Sequence, residues 1–499
     1  MTDYKKLQNG SDIRGVALEG VAGQPVNLTP VEAGYIAMAF SKWLSEGLNK
    51  DASELTVAIG RDPRISGLAL RDGLAGGFAA AGIKVYDCGL ASTPAMFMST
   101  IFSETECDGS VMITASHLPY NRNGFKFFTK DGGLNKQDIK YILATAACMA
   151  GGDTAPAECG ELETFDIMTL YSAHLRQLII DGTGISGKPL KGMKITVDAG
   201  NGSGGFYATD VLAPLGADVS SSQFLEPDGT FPNHVPNPEN AEAMASISAK
   251  VIENGSDFGI IFDTDVDRSA AVDNNGREIA RNGIVAMAAA LVAETRPGAT
   301  VVTDSITSRQ LTEFLEKKLG LVHLRYRRGY KNVINKAMDL CASGVDCPLA
   351  IETSGHAALR ENYFLDDGAY LATKIVIKAA RLNLVGMKID SVLEELEDPL
   401  EEREIRIPIS GEDFGAYGDK VISELEAAVK AADGISLEEP NYEGVRINFP
   451  EGWCLLRKSL HDPLMPMNVA ADVEGGCDTI IAWMKDFLGK YDQLDMSVF

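Results

Sequence analysis

The sequence predicts an α/β protein, with three related mixed-sheet α/β domains in succession and a smaller C-terminal α+β domain. Three observations lead there. Short β-branched runs alternate with Ala-, Gly- and Leu-rich stretches of helical length, the pattern of strands covered by helices. At 499 residues the chain exceeds what one hydrophobic core organises, so several domains are expected. Beyond a charge-dense stretch near residue 395 the alternation changes character, which marks a different last unit.

In the first unit, residues 55–60 are a short apolar strand, Gly67–Ala81 a helix, and residues 83–86 and 110–114 two further strands. The polar stretch 151–163 separates the second unit. There, residues 193–197 run into the Gly-rich turn 198–205, a helical segment reaches about Leu215, and Phe258–Phe262 is a strand entering an acidic loop. The third unit begins near Asn282 with a helix over 284–295, the strand Thr300–Thr303, and helices over 308–317 and 368–380. Residues 394–403, a charge run broken by Pro399, read as a linker. Then come a helix over 419–432, strands over 444–449 and 453–457, and the closing helix Gly476–Leu488. The expected domains are therefore 1–165, 166–281, 282–395 and 396–499.

Charge narrows the partners. With 45 Lys+Arg against 70 Asp+Glu the formal net charge is -25, a surface that repels nucleic acid and anionic membranes. A small anion binds such a chain only where local Arg, Lys or metal overcomes the global field. The 8 cysteines include no Cys-x2-Cys pair and read as free thiols of a reducing compartment, hence a cytoplasmic setting. No apolar run reaches the roughly 18 residues of a membrane span. The start Met-Thr-Asp-Tyr-Lys-Lys lacks the apolar core of a secretory signal, although an organellar peptide already removed leaves no trace.

Chemistry gathers at strand ends. Thr114-Ala115-Ser116-His117 follows the apolar Val111-Met112-Ile113, and Asn123-Gly124-Phe125-Lys126 comes shortly after. This sets a hydroxyl at a strand end, an imidazole beside it and an amine downstream, as suits a serine that carries or transfers a group. Asp263-Thr264-Asp265-Val266-Asp267-Arg268 follows Phe258–Phe262. Alternate carboxylates on an extended strand face one way but stand about 6.5–7 Å apart, so Asp263, Asp265 and Asp267 share one ion only if the chain curls. Their mutual repulsion asks for a hard divalent cation, Mg2+ where phosphate is also a ligand. The Gly-rich turn 198–205 matches neither a dinucleotide nor a P-loop fingerprint; it is a tight turn or a substrate contact through backbone N–H groups.

The remaining candidates look like binding groups. Arg14 precedes Gly15, which lets backbone approach a ligand, and Arg61 follows directly on a strand, where ligands gather in α/β folds. Glu352 and Ser354, two apart in an extended segment, face the same way and suit the vicinal hydroxyls of a sugar. Arg457-Lys458-Ser459-Leu460-His461 combines a planar guanidinium, a hydroxyl and an imidazole, a phosphate-sized site. A transferring serine, a three-aspartate loop, a hydroxyl grip and a separate phosphate site are what phosphoryl transfer to and from a sugar phosphate needs.

These motifs, in their order and over essentially the whole chain, resemble the α-D-phosphohexomutase superfamily, most closely its phosphoglucomutase/phosphomannomutase-like members. The resemblance implies four domains around a central cleft, the fourth mobile. It implies a phosphorylated Ser116 whose phosphate oxygen completes a Mg2+ shell made by Asp263, Asp265 and Asp267. Ser116 would pass its phosphoryl group to a hexose 1-phosphate or 6-phosphate, through a hexose 1,6-bisphosphate that also acts as activator. By similarity Arg14, His117, Lys126 and Arg268 assist at the reacting phosphate. Arg61, Gly329, Tyr330, Lys331, Glu352, Ser354, Arg457, Ser459 and His461 contact the substrate. Tyr330 stands where many relatives have His, which points to hydrogen bonding or shape rather than proton transfer.

The family's phosphate loop commonly reads Arg-x-Ser-Asn-Thr-x-Pro; here Leu460 and His461 replace the amide and the threonine, and His461 adds charge when protonated near pH 6–7. The resemblance leaves open glucose, mannose or glucosamine phosphate as substrate, and monomer or homodimer as assembly. Rival readings are a metal-dependent sugar-phosphate phosphohydrolase and a non-catalytic sugar-phosphate-binding protein.

Overall fold

Apolar runs bounded by glycine or charge form the strands where the sequence places them. In the computed structural model, which describes residues 2–153, 155–157, 160–411, 413–459 and 462–499, the chain divides into two compact units. The first comprises Met1–Leu291 and Ser354–Leu393, the second Val292–Thr353 and Glu394–Phe499.

The first unit contains an 8-stranded mixed sheet. Along its main path the order is Gln8–Asn9, Asp12–Val16, Arg122–Thr129, Gly109–Ile113, Thr56–Arg61, Lys84–Leu90 and Glu163–Thr164. Thr56–Arg61 pairs in parallel with both Gly109–Ile113 and Lys84–Leu90, as strand–helix–strand crossovers require. Arg122–Thr129 runs antiparallel between Gly109–Ile113 and Asp12–Val16. Its alternate residues Phe125 and Phe127 enter the core with Val57, Ile59, Val111 and Phe40, so Lys126 lies on the other face.

The helices Pro30–Leu48 and Gly67–Ala81 cover that core and meet backbone to backbone. A Cβ on Gly77 would lie 2.1 Å from the Gly34 carbonyl oxygen, and one on Gly73 would lie 2.3 Å from that of Pro30. Pro30–Leu48 begins with a capping box in which Thr29 and Glu32 bond reciprocally, with Pro30 at the first turn.

A 4-stranded sheet follows in the same unit, ordered Glu278–Ile279, Ser269–Asp273, Phe258–Phe262 and Ile195–Asp198. Phe258–Phe262 is buried throughout, parallel to Ile195–Asp198 and antiparallel to Ser269–Asp273. The aspartate loop is therefore the connection of a hairpin.

In the second unit, Thr300–Thr303 lies parallel between Val322–Arg325 and Leu349–Ile351. The C-terminal part is a 5-stranded antiparallel sheet, Glu401–Pro408, Leu464–Ala471, Gly452–Leu456, Val445–Asn448 and Ser436–Leu437, packed on Phe414–Ala431 and Gly476–Leu488. One expectation is corrected here. Residues 401–403 of the expected linker belong to the strand Glu401–Pro408, in register with Ala471–Val469. A strand at the sheet edge tolerates the run of charged residues 401–404, and Glu401 also accepts the N–H groups of Gly475 (2.7 Å) and Cys477 (3.0 Å). Among the described residues no helix is long and apolar enough to cross a membrane.

The close helix contact yields a test. Gly77→Ala should destabilise the protein by about 1–3 kcal/mol, because the added methyl meets backbone that cannot yield cheaply. Thermal unfolding of the variant beside wild type measures it, and an unchanged midpoint would refute the close approach.

Candidate active site

Three neighbouring strands converge on Ser116. The serine lies just past Gly109–Ile113; Lys126 stands opposite Met112 on the next strand, and Arg14 opposite Gly124 on the one beyond. Ser116 has a backbone φ of 52°, the left-handed region that L-residues avoid. Its Oγ is buried and multiply held. It donates to Asp263 Oδ2 at 3.1 Å, accepts from Arg268 Nη2 at 3.0 Å, and lies 3.3 Å from His117 Nδ1. The Arg14 guanidinium donates to the Ala115 carbonyl at 2.6 Å and to Asp12 at 3.0 Å, bracing the backbone just before the serine.

The aspartate loop curls as a shared ion requires. Val266 takes a φ of 68°, and one carboxylate oxygen from each of Asp263, Asp265 and Asp267 falls within 4.8 Å of the others. Gly368, at the start of the helix Gly368–Leu384, donates its N–H to the Val266 carbonyl at 3.1 Å. A Cβ on Gly368 would come within 2.5 Å of the Arg268 backbone, so only glycine fits that close approach.

Thr93 donates to Asp265 through its hydroxyl, and Lys126 pairs with Asp267 and stands 3.7 Å from Asp265. Arg268 donates to Asp263 Oδ2 through Nε (3.1 Å) and Nη2 (2.9 Å) and to Asn237 Oδ1 through Nη1 (3.1 Å).

Electrostatics follow from burying so many charges. Burial and the repulsion of Asp267 push the Asp263 carboxyl well above the usual range, against Arg268. Burial works the same way on Asp267, but Lys126, His356 and Arg268 outweigh it and hold that carboxyl well below the usual range. Asp265 Oδ1 and Asp267 Oδ1 are buried without a hydrogen-bond partner. Two unpartnered carboxylate oxygens in an all-oxygen cluster fit a hard divalent cation, for which the triad is the natural ligand set.

The same field acts on His117. Burial, Arg268 and Arg14 push its imidazole down to about 2, so it is neutral and brings no positive charge to a phosphate. Its Nδ1 faces Arg268 Nη2 at 2.8 Å, the acceptor geometry of a neutral ring.

Sequence reasoning passed over several groups here. His356, quoted in its motif but given no role, has its imidazole 2.6 Å from Asp366 and 3.8 Å from Asp267. Burial opposes its protonation, yet Asp366 and Asp267 raise it to about 9, so it is an imidazolium at neutral pH. Its position four residues after Glu352, next to a glycine, was the available signal. Asp62, Arg64 and Thr93 carry no signature in one sequence except proximity to a strand end, and Asn237 carries none. Arg61, at such an end, points an Nη at the Asp62 carbonyl, 3.3 Å away.

The Gly-rich turn 198–205 is a structural device. Asp198 accepts the Gly200 N–H at 2.8 Å and faces His234 Nε2 with both oxygens at 3.1 Å, while His234 Nδ1 faces the Val235 carbonyl at 3.0 Å. Both ring nitrogens thus meet acceptors, which only an imidazolium satisfies. Burial opposes that charge, but the Asp198 hydrogen bond and charge prevail and raise the pKa.

The second unit holds the other candidates. Gly329, with φ 115°, precedes the helix Tyr330–Ala342, so Tyr330 and Lys331 form its first turn. The Gly329 N–H donates to Glu352, buried just past Leu349–Ile351. Thr353 donates to Asp304 Oδ2 at 2.7 Å, and burial with the Glu352 charge pushes Asp304 up to about 7.

Arg457 follows the strand Gly452–Leu456. Burial and then Arg328 lower its pKa, with Glu443, Glu404 and Asp304 opposing. Glu443 also accepts the Arg328 N–H at 3.1 Å. The Ser459 hydroxyl accepts from the Asp462 N–H at 3.2 Å. His461 lies outside the described residues. The division between the units falls at Thr353–Ser354, so Glu352 and Ser354 belong to different ones.

Fold and site together define a multidomain α/β protein whose first unit brings a buried serine onto an aspartate triad. Residues 5–147, 170–276 and 281–399 match the models for phosphoglucomutase/phosphomannomutase alpha/beta/alpha domains I, II and III. The chain is 30% identical over 466 residues to a phosphomannomutase/phosphoglucomutase of Pseudomonas putida, covering 93% of this chain and 92% of that one. It is 32% identical over 427 residues to a phosphoglucomutase of Neisseria meningitidis, covering 85% and 86%. A solved phosphoglucomutase/phosphomannomutase family protein from Burkholderia thailandensis superposes with a TM-score of 0.78 at 26% identity, covering 98% of each chain. The chain belongs to the phosphoglucomutase/phosphomannomutase family, within the α-D-phosphohexomutase superfamily.

Two measurements check this geometry. Asp265→Asn should weaken divalent-cation affinity by about tenfold or more, read by titration calorimetry, since ligand charge count tunes such sites. For His234, a pKa raised in the folded state means that the stabilisation is complete below the unfolded value near 6.5 and is lost as pH rises through the folded value. The deficit in thermal midpoint of His234→Gln should therefore be largest below about pH 6 and shrink at higher pH; a pH-independent deficit would refute the imidazolium.

Proposed function

We propose that this protein interconverts hexose 1-phosphate and hexose 6-phosphate, glucose and/or mannose phosphate favoured, through a phosphorylated Ser116 and a hexose 1,6-bisphosphate intermediate. The carrying observation is the Ser116 hydroxyl held between Arg268 Nη2 (3.0 Å) and Asp263 Oδ2 (3.1 Å) at the edge of the triad. In the forward step the Ser116 Oγ–P bond breaks as a P–O bond forms to the free sugar hydroxyl. That hydroxyl's proton passes to Lys126 as Lys126 gives its own to Ser116 Oγ. Arg268, donating to Oγ from a dry site, stabilises the charge that develops there. The sugar then turns, and the reverse transfer returns the other phosphoryl group to Ser116.

Asp263, Asp265, Asp267 and the phosphorylated Ser116 are the residues that would hold Mg2+, which would supply charge neutralisation at the transferring group. Glu352 and Ser354 are assigned to the sugar hydroxyls. Arg457, Ser459 and His461 are assigned to the distal phosphate, with Gly329, Tyr330, Lys331 and Arg61 as further substrate contacts. Arg14 braces the serine loop and His117 accepts at Arg268. The relatives named above support a hexose-phosphate substrate, and the dispersed cysteines support a cytoplasmic setting. Glucosamine phosphate is the alternative substrate.

A coupled assay decides. Glucose 1-phosphate should become the 6-phosphate, with stimulation by a hexose bisphosphate and little inorganic phosphate released. Ser116→Ala should lower kcat by at least about 10⁴-fold. Phosphate release without isomerisation would instead identify a phosphohydrolase.

A further inference from the structure

Arg64 lies in the Gly60–Gly67 stretch beside Arg61, and it is buried with no exposed side-chain surface. Its guanidinium spends every donor on one short loop and one carboxylate. Nη1 donates to the carbonyls of Pro119 (2.8 Å) and Arg122 (3.0 Å). Nη2 donates to Leu118 (2.7 Å) and to the carbonyl of Ser116 itself. Nε donates to Asp62 Oδ2 at 3.1 Å. A rigid fork of five N–H directions is thus fully used, which a lysine ammonium cannot imitate. The Phe231 ring lies 5.2 Å from the guanidinium carbon.

A second path reaches the other side of the same residue. Asp62 Oδ1 accepts the Arg64 backbone N–H at 3.0 Å, and Oδ2 accepts the Thr114 hydroxyl at 2.8 Å. Thr114 Oγ1 in turn accepts the Ser116 N–H at 2.9 Å. Ser116 is therefore clamped at its carbonyl by Arg64 and at its N–H by Thr114, which is how a serine with φ 52° is kept in a conformation it would otherwise leave. Burying an ion pair is poor value for stability alone, and here nearly all the hydrogen bonds go to the loop that presents the hydroxyl.

We propose that Arg64, oriented by Asp62, is a positioning residue that sets where the Ser116 hydroxyl lies relative to Asp263 and Arg268. The proposal rests on the reading of Ser116 as the phosphoryl carrier. Arg64 bonds neither that hydroxyl nor the triad, so its effect is on placement.

The experiment uses the full-length protein with Mg2+, phosphorylated on Ser116 by incubation with labelled glucose 1,6-bisphosphate. In Arg64→Lys, kcat should fall about 100-fold with KM changed less than about threefold, the signature of a misplaced reacting group. Single-turnover transfer of label from Ser116 to glucose 1-phosphate, per mole of phosphoserine, should slow by the same factor. Thr114→Val should slow the same step and Thr114→Ser should restore it; this pair decides if Arg64→Lys does not fold by circular dichroism. A folded Arg64→Lys or Thr114→Val with wild-type single-turnover transfer, altered only in thermal midpoint, would overturn the proposal. Wild-type protein that never acquires label on Ser116 would overturn the mutase reading instead.

Discussion

Three carboxylates meet in a space that water does not reach, and much of the first unit is arranged around that constraint. Asp263, Asp265 and Asp267 are each at most 1% exposed. Lys126 pairs with Asp267 and stands 3.7 Å from Asp265, Arg268 pairs with Asp263, and the imidazolium of His356 lies 2.6 Å from Asp366 and 3.8 Å from Asp267. The buried Oδ1 atoms of Asp265 and Asp267 still have no hydrogen-bond partner. In a medium of low dielectric such oxygens are tolerable only beside cations or a shifted proton. The strained turns, the glycine under Arg268 and the hydroxyl of Thr93 on Asp265 all serve to hold that arrangement. Ser116 borrows from it: its hydroxyl bonds one member of the triad and one of its counter-charges.

Legibility of the fold followed hydrophobic contrast. Phe258–Phe262, Thr300–Thr303 and Gly67–Ala81 are apolar or Ala-rich runs with abrupt ends and Gly476–Leu488 is an amphipathic one, and the structure places all four at the expected residues. Arg122–Thr129 was not read as a strand, because it carries Arg, Asn and Lys while pairing on both edges in the middle of a sheet. Its Lys126 faces the triad while Phe125 and Phe127 face the core, so tertiary demand overrode propensity. Pro30–Leu48 was readable from its capping box but lay outside the strand–helix alternation that guided the reading. Glu401–Pro408 failed for the converse reason. An edge strand tolerates charge that resembles a linker.

The site was legible where chemistry requires an uncommon residue in an uncommon place, and illegible where it requires only support. Ser116, Arg268 and the three aspartates stand out in the sequence because they follow apolar strands, where function concentrates in α/β folds; Lys126, inside Arg122–Thr129, stands out only through its motif. Charge states were not. Nothing near His117 in the sequence announces the two arginines and the burial that make it neutral, and nothing near His356 announces the Asp366 that makes it a cation. A histidine's role depends on which charges lie within a few ångströms, and those come from segments far away in the chain. Arg61 and Arg64 illustrate the same limit: one strand end, two arginines, and only packing distinguishes the one that reaches the serine loop.

Val266 belongs to two structures at once. Its backbone makes the left-handed bend that folds three carboxylates toward one point, and its side chain is fully buried. A β-branched residue resists that backbone conformation, so the bend persists because packing around the isopropyl group and the Gly368 N–H on its carbonyl hold it there. The convergence of the three carboxylates therefore depends on hydrocarbon packing as well as on the carboxylates themselves. A smaller side chain at position 266 would loosen the loop without touching any of the three.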